Sequence, residues 1–236
     1  MVVRVLLMVG VLLLSPGAQA QAPGAMVEGS LSVGPKVVPL PPGPWRILHL
    51  GADSGRSSDM TLSTRMHEAV LVQERDGRAA AIIVARAAQE VGAHWNPHGV
   101  CTNANAFARH IASAVRAALD CRGLVVVGSG RNANTPAYLN ALYDEGQARP
   151  GWVPARWISA QFVLSETMHY LSVEFRFAPA TFAPAVANLA NWHDGARNAA
   201  QEAFVQQLDG WGARPQAELR RGLYGRQPAT PLPAPF

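Results

Sequence analysis

The sequence predicts an α+β fold: an antiparallel sheet of hairpins covered by one long C-terminal amphipathic helix and one or two shorter helices. Three observations carry this. Asp76-Gly77 stands between two β-prone runs, Met66 to Glu74 and Ala79 to Ala87, and supplies the positive φ angles that a two-residue hairpin turn demands. Along His169 to Phe177, the residues Tyr170, Ser172, Glu174 and Arg176 alternate with Leu171, Val173, Phe175 and Phe177, the pattern of a half-buried strand. From Thr181 to Trp211, Phe182, Val186, Leu189, Ala196, Ala200, Phe204, Leu208 and Trp211 keep the three-and-four spacing of one helix face.

Taken from the N-terminus, Arg4 followed by the apolar run Val5 to Leu14, the breaker Ser15-Pro16-Gly17 and the small residues of Ala18-Gln19-Ala20 read as a signal peptide cleaved after Ala20. The apolar run is about half the ~20 residues a membrane-spanning helix needs, and no later stretch is long and apolar enough to span. The expected location is therefore periplasmic or secreted, with no transmembrane anchor after cleavage. Residues 21–36 are small and Pro/Gly-containing, and read as a flexible leader. A single domain is expected over 37–224, followed by a mobile Pro-rich tail over 225–236.

Within the domain, Val37 to Pro44 is an extended edge segment and turn, because its prolines cannot donate to a ladder. Trp45 to Leu50 is a short strand with bulk on both faces, and Ala52 to Thr64 a polar loop. A second hairpin pairs Trp157 to Leu164 with His169 to Phe177 around Ser165-Glu166-Thr167. Thr135-Pro136 before Ala137 to Glu145, with Gly146 beyond, reads as a shorter helix with a cap hydroxyl, a first-position proline and a terminal glycine.

Cys101 and Cys121 are the only cysteines, and in an exported chain an even pair is normally oxidised. The bond is at odds with the Ala-rich stretch between them. A helix over 103–119 would separate its ends by ~24 Å, whereas bridged Cα atoms lie within ~7 Å. Phe107, Ile111, Val115 and Leu119 recur every four residues, which suits a helix face and a strand face alike. The expectation is a short helix of at most about three turns with a returning strand; an extended hairpin closed by the disulfide is the other solution.

Composition narrows the function classes. The chain has 236 residues, 49% of them hydrophobic, enough for burial to offset ordering entropy, so it is no disordered tail. Arginine supplies nearly all the positive charge: Lys36 is the sole lysine, which excludes Ser-Lys chemistry elsewhere in the chain. Net charge is +4, and loss of Arg4 with the signal peptide weakens that field further. No basic-aromatic pattern or motif points to nucleic acid.

The constellations that resemble sites are few. His94 and His98 flank Pro97, with Cys101 close by, but Pro97 and Gly99 oppose the helix that would put both imidazoles on one metal. Val125 to Gly128, then Ser129, Gly130 and Arg131, is a strand running into a glycine loop ahead of a helix. That order suits an anion cradle but lacks the third glycine of a dinucleotide fingerprint and the Gly-Lys-Ser/Thr of a P-loop. No Gly-x-Ser-x-Gly elbow occurs. His49, His67 and His169 fall on predicted strands, where structural histidines outnumber catalytic ones. The arginines at 46, 56, 65, 75, 78 and 86, and at 214, 220, 221 and 226, read mainly as solvated faces, with anionic envelope components as possible partners.

The opening VVPLPPGPW, Val37 to Trp45, after a signal peptide and leader, resembles small exported Gram-negative proteins of unknown function. In those a Pro-rich strand leads to a tryptophan and hairpins, and a cysteine pair, here Cys101 and Cys121, lies near the middle. The resemblance implies location and a disulfide, and carries no activity. The expectation is a non-catalytic binding or scaffolding protein of the cell envelope, with no cofactor, metal or catalytic residue assigned. The alternatives are an envelope hydrolase with an unrecognised site near Ser129, His169 or His94, and an anionic-ligand or lipid-binding module. Ser129, Arg131, His94, His98 and His169 are the candidate ligand residues.

Overall fold

The computed structural model describes residues 21–53, 65–89, 95–116, 118–186, 192 and 197–236. The predicted signal peptide, most of the polar loop after Ala52, His94, and Leu189 and Ala196 of the predicted long helix lie outside the described residues. Among those described, the strands are β1 (Met26–Val27), β2 (Ser30–Val33), β3 (Lys36–Pro39), β4 (Trp45–Asp53), β5 (Met66–Arg75), β6 (Arg78–Gln89), β7 (Phe107–Val115), β8 (Ala118–Gly128), β9 (Arg156–Glu166) and β10 (His169–Phe177). The helices are α1 (Asn140–Ala148), α2 (Pro179–Phe182) and α3 (Ala199–Gly222). The α+β class follows directly.

One antiparallel sheet runs β1-β4-β5-β6-β10-β9-β8-β7, and β2–β3 forms a separate hairpin. The sheet is two meanders, β4–β6 and β7–β10, joined where β10 pairs with β6. The Asp76-Gly77 turn forms as predicted, with φ of 50° and 71°, the left-handed pair that matches strand twist. Thr167 takes φ 47° at the tip of β9–β10.

Alternation divides the side chains between two faces. One face buries Leu71, Ile83, Phe162, Val173 and Phe175 beneath α3, through Phe204, Leu208 and Trp211, and beneath β2–β3, through Leu31, Val33 and Val38. The other buries Val70, Val72, Ile82, Val84 and Trp157 beneath α1, through Leu142, with Leu139 and Trp152 beside it. A third cluster gathers Trp95, Val100, Val163 and Tyr170 around the cysteines. Trp45 anchors the Pro-rich opening, donating its indole N–H to the Pro41 carbonyl at 2.9 Å.

The cysteine question resolves as the hairpin. Cys101 and Cys121 are bridged with Cα atoms 5.4 Å apart, and β7 pairs with β8 where a short helix is expected. The four-residue spacing fails as a guide because β7 is irregular: Ala108 has φ 47° and the register shifts twice. Phe107 is buried, while Ile111 and Val115 are 41% and 63% exposed.

Four boundaries differ from expectation. The long helix begins at Ala199 rather than Thr181, because Asn198 and Gln201 form a reciprocal capping box, whereas the backbone leaves helical geometry at Ala183 and ends α2. It also continues past Trp211, through Pro215, to Gly222, where the backbone meets β3 so closely that a Cβ would collide with the Val37 carbonyl. The supposed flexible leader contains β1 and β2, and Leu31 and Val33 are fully buried. The supposed mobile tail is docked: Leu232 is buried, Phe236 stacks on Phe182 and Phe204, and the Pro233 carbonyl accepts from the Trp211 indole at 3.0 Å. Prolines prevent ladder pairing but leave carbonyls and apolar rings free to pack.

Candidate functional site

Where β8 ends, the Ser129 backbone N–H donates to the Ala155 carbonyl at 3.1 Å, holding Ser129 beside the start of β9. The chain then turns through Asn132 to Thr135. The Thr135 hydroxyl accepts from the Asn132 N–H at 2.8 Å, so it closes this turn rather than capping a helix as predicted. A single 3-10 turn over Ala137–Leu139 leads into α1.

Leu142 points α1 into the sheet, which leaves Tyr143, Gly146 and Gln147, spaced three and four apart, on the side facing Ser129. Between them and the segment Val153 to Ala155 lies an open cavity of about 460 Å³. Gly146, expected just beyond the helix, is inside it. A Cβ there would lie 2.8 Å from Val153 Cγ2, so glycine is what lets this wall close up.

The cavity brings together two of the predicted residues. Arg131 donates from its two terminal nitrogens to Asp144 and to the Asn140 side-chain oxygen, each at 2.8 Å. The Ser129 hydroxyl is buried without a hydrogen-bond partner. Tyr143, half-buried, and Gln147, exposed, line the same cavity. These two were not legible as site residues; the signal available was their spacing opposite Leu142 on a short helix following the glycine loop.

The remaining candidates lie elsewhere. His98 bridges the Asn96 carbonyl and the Tyr170 hydroxyl, both at 2.8 Å, and Tyr170 stacks on Trp95 at 4.4 Å between ring centres. It thus pins the disulfide loop to β10. His169 is at the far end of β9 from Ser129: Ser129 meets Ala155 and His169 pairs with Glu166, about 36 Å apart at strand rise. The two cannot form a nucleophile and base. His169 instead contacts Lys36, whose Nζ is 2.6 Å from Nδ1. Among the described residues, no group of three His, Cys, Asp or Glu side chains is placed to hold a metal ion.

The arginines are largely spoken for. Arg46 and Arg149 share Glu74 and Glu145 in a four-membered network linking β4, β5 and α1. Bonds from Arg149, then Arg46, outweigh burial and hold the Glu74 carboxyl down at about 2. Arg86 pairs with Glu68 at 3.3 Å and lies over the Tyr138 ring, whose hydroxyl burial pushes up to about 12. Arg220 pairs with Asp120, and Arg214 bonds to Thr230. Arg56 lies outside the described residues. No helix among the described residues is long and apolar enough to cross a membrane.

No family model matches the chain, and no curated protein or solved structure matches it either.

Proposed function

We propose that this chain is an exported envelope protein that binds a small ligand non-covalently in the cavity between the end of β8, α1 and the approach to β9. One observation carries the reading: the polar side chains of Arg131, Tyr143 and Gln147, with Ser129 beside them, line one open cavity of ordinary ligand-site size. Its lining holds a hydroxyl, a phenol, an amide and a guanidinium, groups that recognise, and neither imidazole nor carboxylate. Export is supported by the N-terminal pattern, by the likeness of Val37 to Trp45 to small exported proteins, and by the bridged cysteines, since such bonds persist in oxidising compartments.

Ligand-observed NMR of the mature chain against a library of polar fragments tests the binding role. Ala155→Trp, a substitution at an exposed position of the lining, should abolish the signals that the wild type gives. Fragments that bind both proteins equally would place recognition elsewhere. Sequencing the N-terminus of the protein recovered from the periplasm should begin at Gln21, and retention of Met1 would refute the signal peptide.

A further inference from the structure

We propose that the face of α3 that carries the tail is a receptor for extended proline-rich peptide, filled in cis by residues 227–236 until a partner's proline-rich segment takes their place. This face lies across the sheet from the cavity beside α1. The helix meets the tail through one stripe: Gln207, Trp211, Arg214, Glu218 and Arg221 follow at the three-and-four spacing of a single helix line. In that order, the Gln207 amide donates to the Pro235 carbonyl and the Trp211 indole to the Pro233 carbonyl, both at 3.0 Å, and Arg214 donates to the Thr230 hydroxyl. Glu218 then accepts from the Ala229 N–H at 2.8 Å, and Arg221 donates to the Gln227 carbonyl at 3.4 Å. The tail therefore runs antiparallel to the helix.

What this stripe reads is mostly backbone, so the ligand class is decided by conformation. From Thr230 to Pro235 every residue is a proline or precedes one. Proline fixes its own φ and holds the preceding residue extended, and the resulting polyproline form leaves its carbonyls free to accept. The lengths agree: from Gln207 to Arg221 the helix rises about 21 Å, and Gln227 to Pro235 spans about 25 Å in polyproline form.

Two side chains add anchors. Leu232 enters the main core, and the Phe236 ring stacks on Phe182 and Phe204, 4.7 Å from each centre, with Phe177 edge-on at 5.5 Å. Aromatic walls with side-chain donors aimed at carbonyls are the physical means by which polyproline segments are held. The partner chemistry is thus an exposed segment of the pattern Leu-Pro-x-Pro-aromatic.

The tail's hold is separable from the rest of the fold. Among the described residues, no backbone–backbone hydrogen bond reaches residues 227–236, and Leu232 is the only buried residue of that segment. A turn at Gly225, with φ 72°, sets it off from α3. Such a segment opens at lower cost than a sheet strand. Opening bares Trp211, Phe182 and Phe204 together, an apolar patch of the kind that marks a protein-binding surface. A tethered tail competes at its effective concentration, so it keeps the patch covered and sets the threshold a partner must exceed.

The test titrates the isotope-labelled mature chain, residues 21–236, with a synthetic peptide of residues 227–236, followed by amide NMR. Bound peptide should displace the tail, so the amides of Thr230, Leu232, Ala234 and Phe236 should move to random-coil positions, half-complete at peptide concentrations on the order of mM. Leu232→Ala in the chain weakens the internal competitor and should tighten the peptide's apparent affinity by about tenfold or more. Phe236→Ala should act in the same direction, and decides the matter if Leu232→Ala does not fold. A peptide with alanine in place of its own leucine and phenylalanine leaves the chain untouched and should bind about tenfold more weakly or worse. A peptide with every proline replaced by alanine keeps the anchors, loses the preset conformation and should also bind more weakly; equal binding would overturn the polyproline class. Binding that leaves the tail amides in place would put the peptide elsewhere, and no release in the wild type or either variant would make the tail a fixed part of the fold; both overturn the proposal. A loosened chain that dimerises in sedimentation equilibrium and is not dispersed by peptide would make a second copy's tail the occupant and overturn the partner's role.

Discussion

Lys36 Nζ lies 2.6 Å from His169 Nδ1 beneath the β2–β3 hairpin, so the chain's sole lysine, 1% exposed, donates to an imidazole. Gln89 accepts from the same ammonium at 3.4 Å, the Tyr224 ring meets His169 edge-on at 5.1 Å, and the Glu166 charge favours the protonated imidazole. Burial lowers Lys36 to about 8, and burial together with the Lys36 charge lowers His169. Both are bases whose folded values are depressed, so the folded state resists protonation more than the unfolded one. Stability should fall as pH drops from 10.5 to about 8, where Lys36 takes its proton, and again below 6.5 as His169 takes a second. In Lys36→Met the alkaline slope should vanish, and urea unfolding across this range checks it. An unchanged slope would mean another group titrates there.

The Glu74 network predicts acid sensitivity of the opposite chemical origin. A carboxylate held at about 2 contributes stability that is complete above 4.5 and lost as pH falls through 2. Glu74→Gln should cost about 1 kcal/mol at neutral pH, the scale of a partly exposed ion-pair network, and should flatten the acid limb of a stability profile.

Reducing Cys101–Cys121 frees a loop with a sequence separation of 20. The expected loss is about 3 kcal/mol by loop-closure reasoning, seen as a lower urea midpoint for Cys101→Ser/Cys121→Ser. The sheet should survive, since β8 is paired on both sides by β7 and β9.

Leu232→Ala distinguishes a docked tail from a mobile one. Leu232 is 2% exposed within the main core, so truncation should cost about 2–3 kcal/mol, as for other buried leucines. A loss close to zero would restore the mobile tail.

Where local chemistry decides structure, the sequence was readable. Asp76-Gly77 admits few conformations, and the strict alternation of His169 to Phe177 has one interpretation. Phe107 to Leu119 was ambiguous because a period of four belongs to helix and strand equally; two register shifts and the disulfide, both tertiary matters, settle it. The start of α3 was hidden because Phe182 and Val186 continue the apolar spacing of a helix they do not join. The Pro-rich tail misled because proline reports what a backbone cannot pair with, not what its neighbours pack against. At the candidate site, Ser129 and Arg131 were marked by the glycine loop, but Tyr143 and Gln147 gain meaning only once Leu142 fixes which way α1 faces.

The join between the two meanders carries a kinetic consequence. Gln89 of β6 pairs with His169, some eighty positions later in the chain. As the polypeptide emerges from its N-terminus, β4, β5 and β6 can assemble through neighbouring hairpins, whereas the far side of β6 must wait for β10. During that interval a long apolar strand, RAAAIIVARAAQ, presents an open edge on which another chain could template itself. Arg86 interrupts the run with a charge and so disfavours such self-pairing. It is the arrival of β10 at the centre of the sheet that closes this edge.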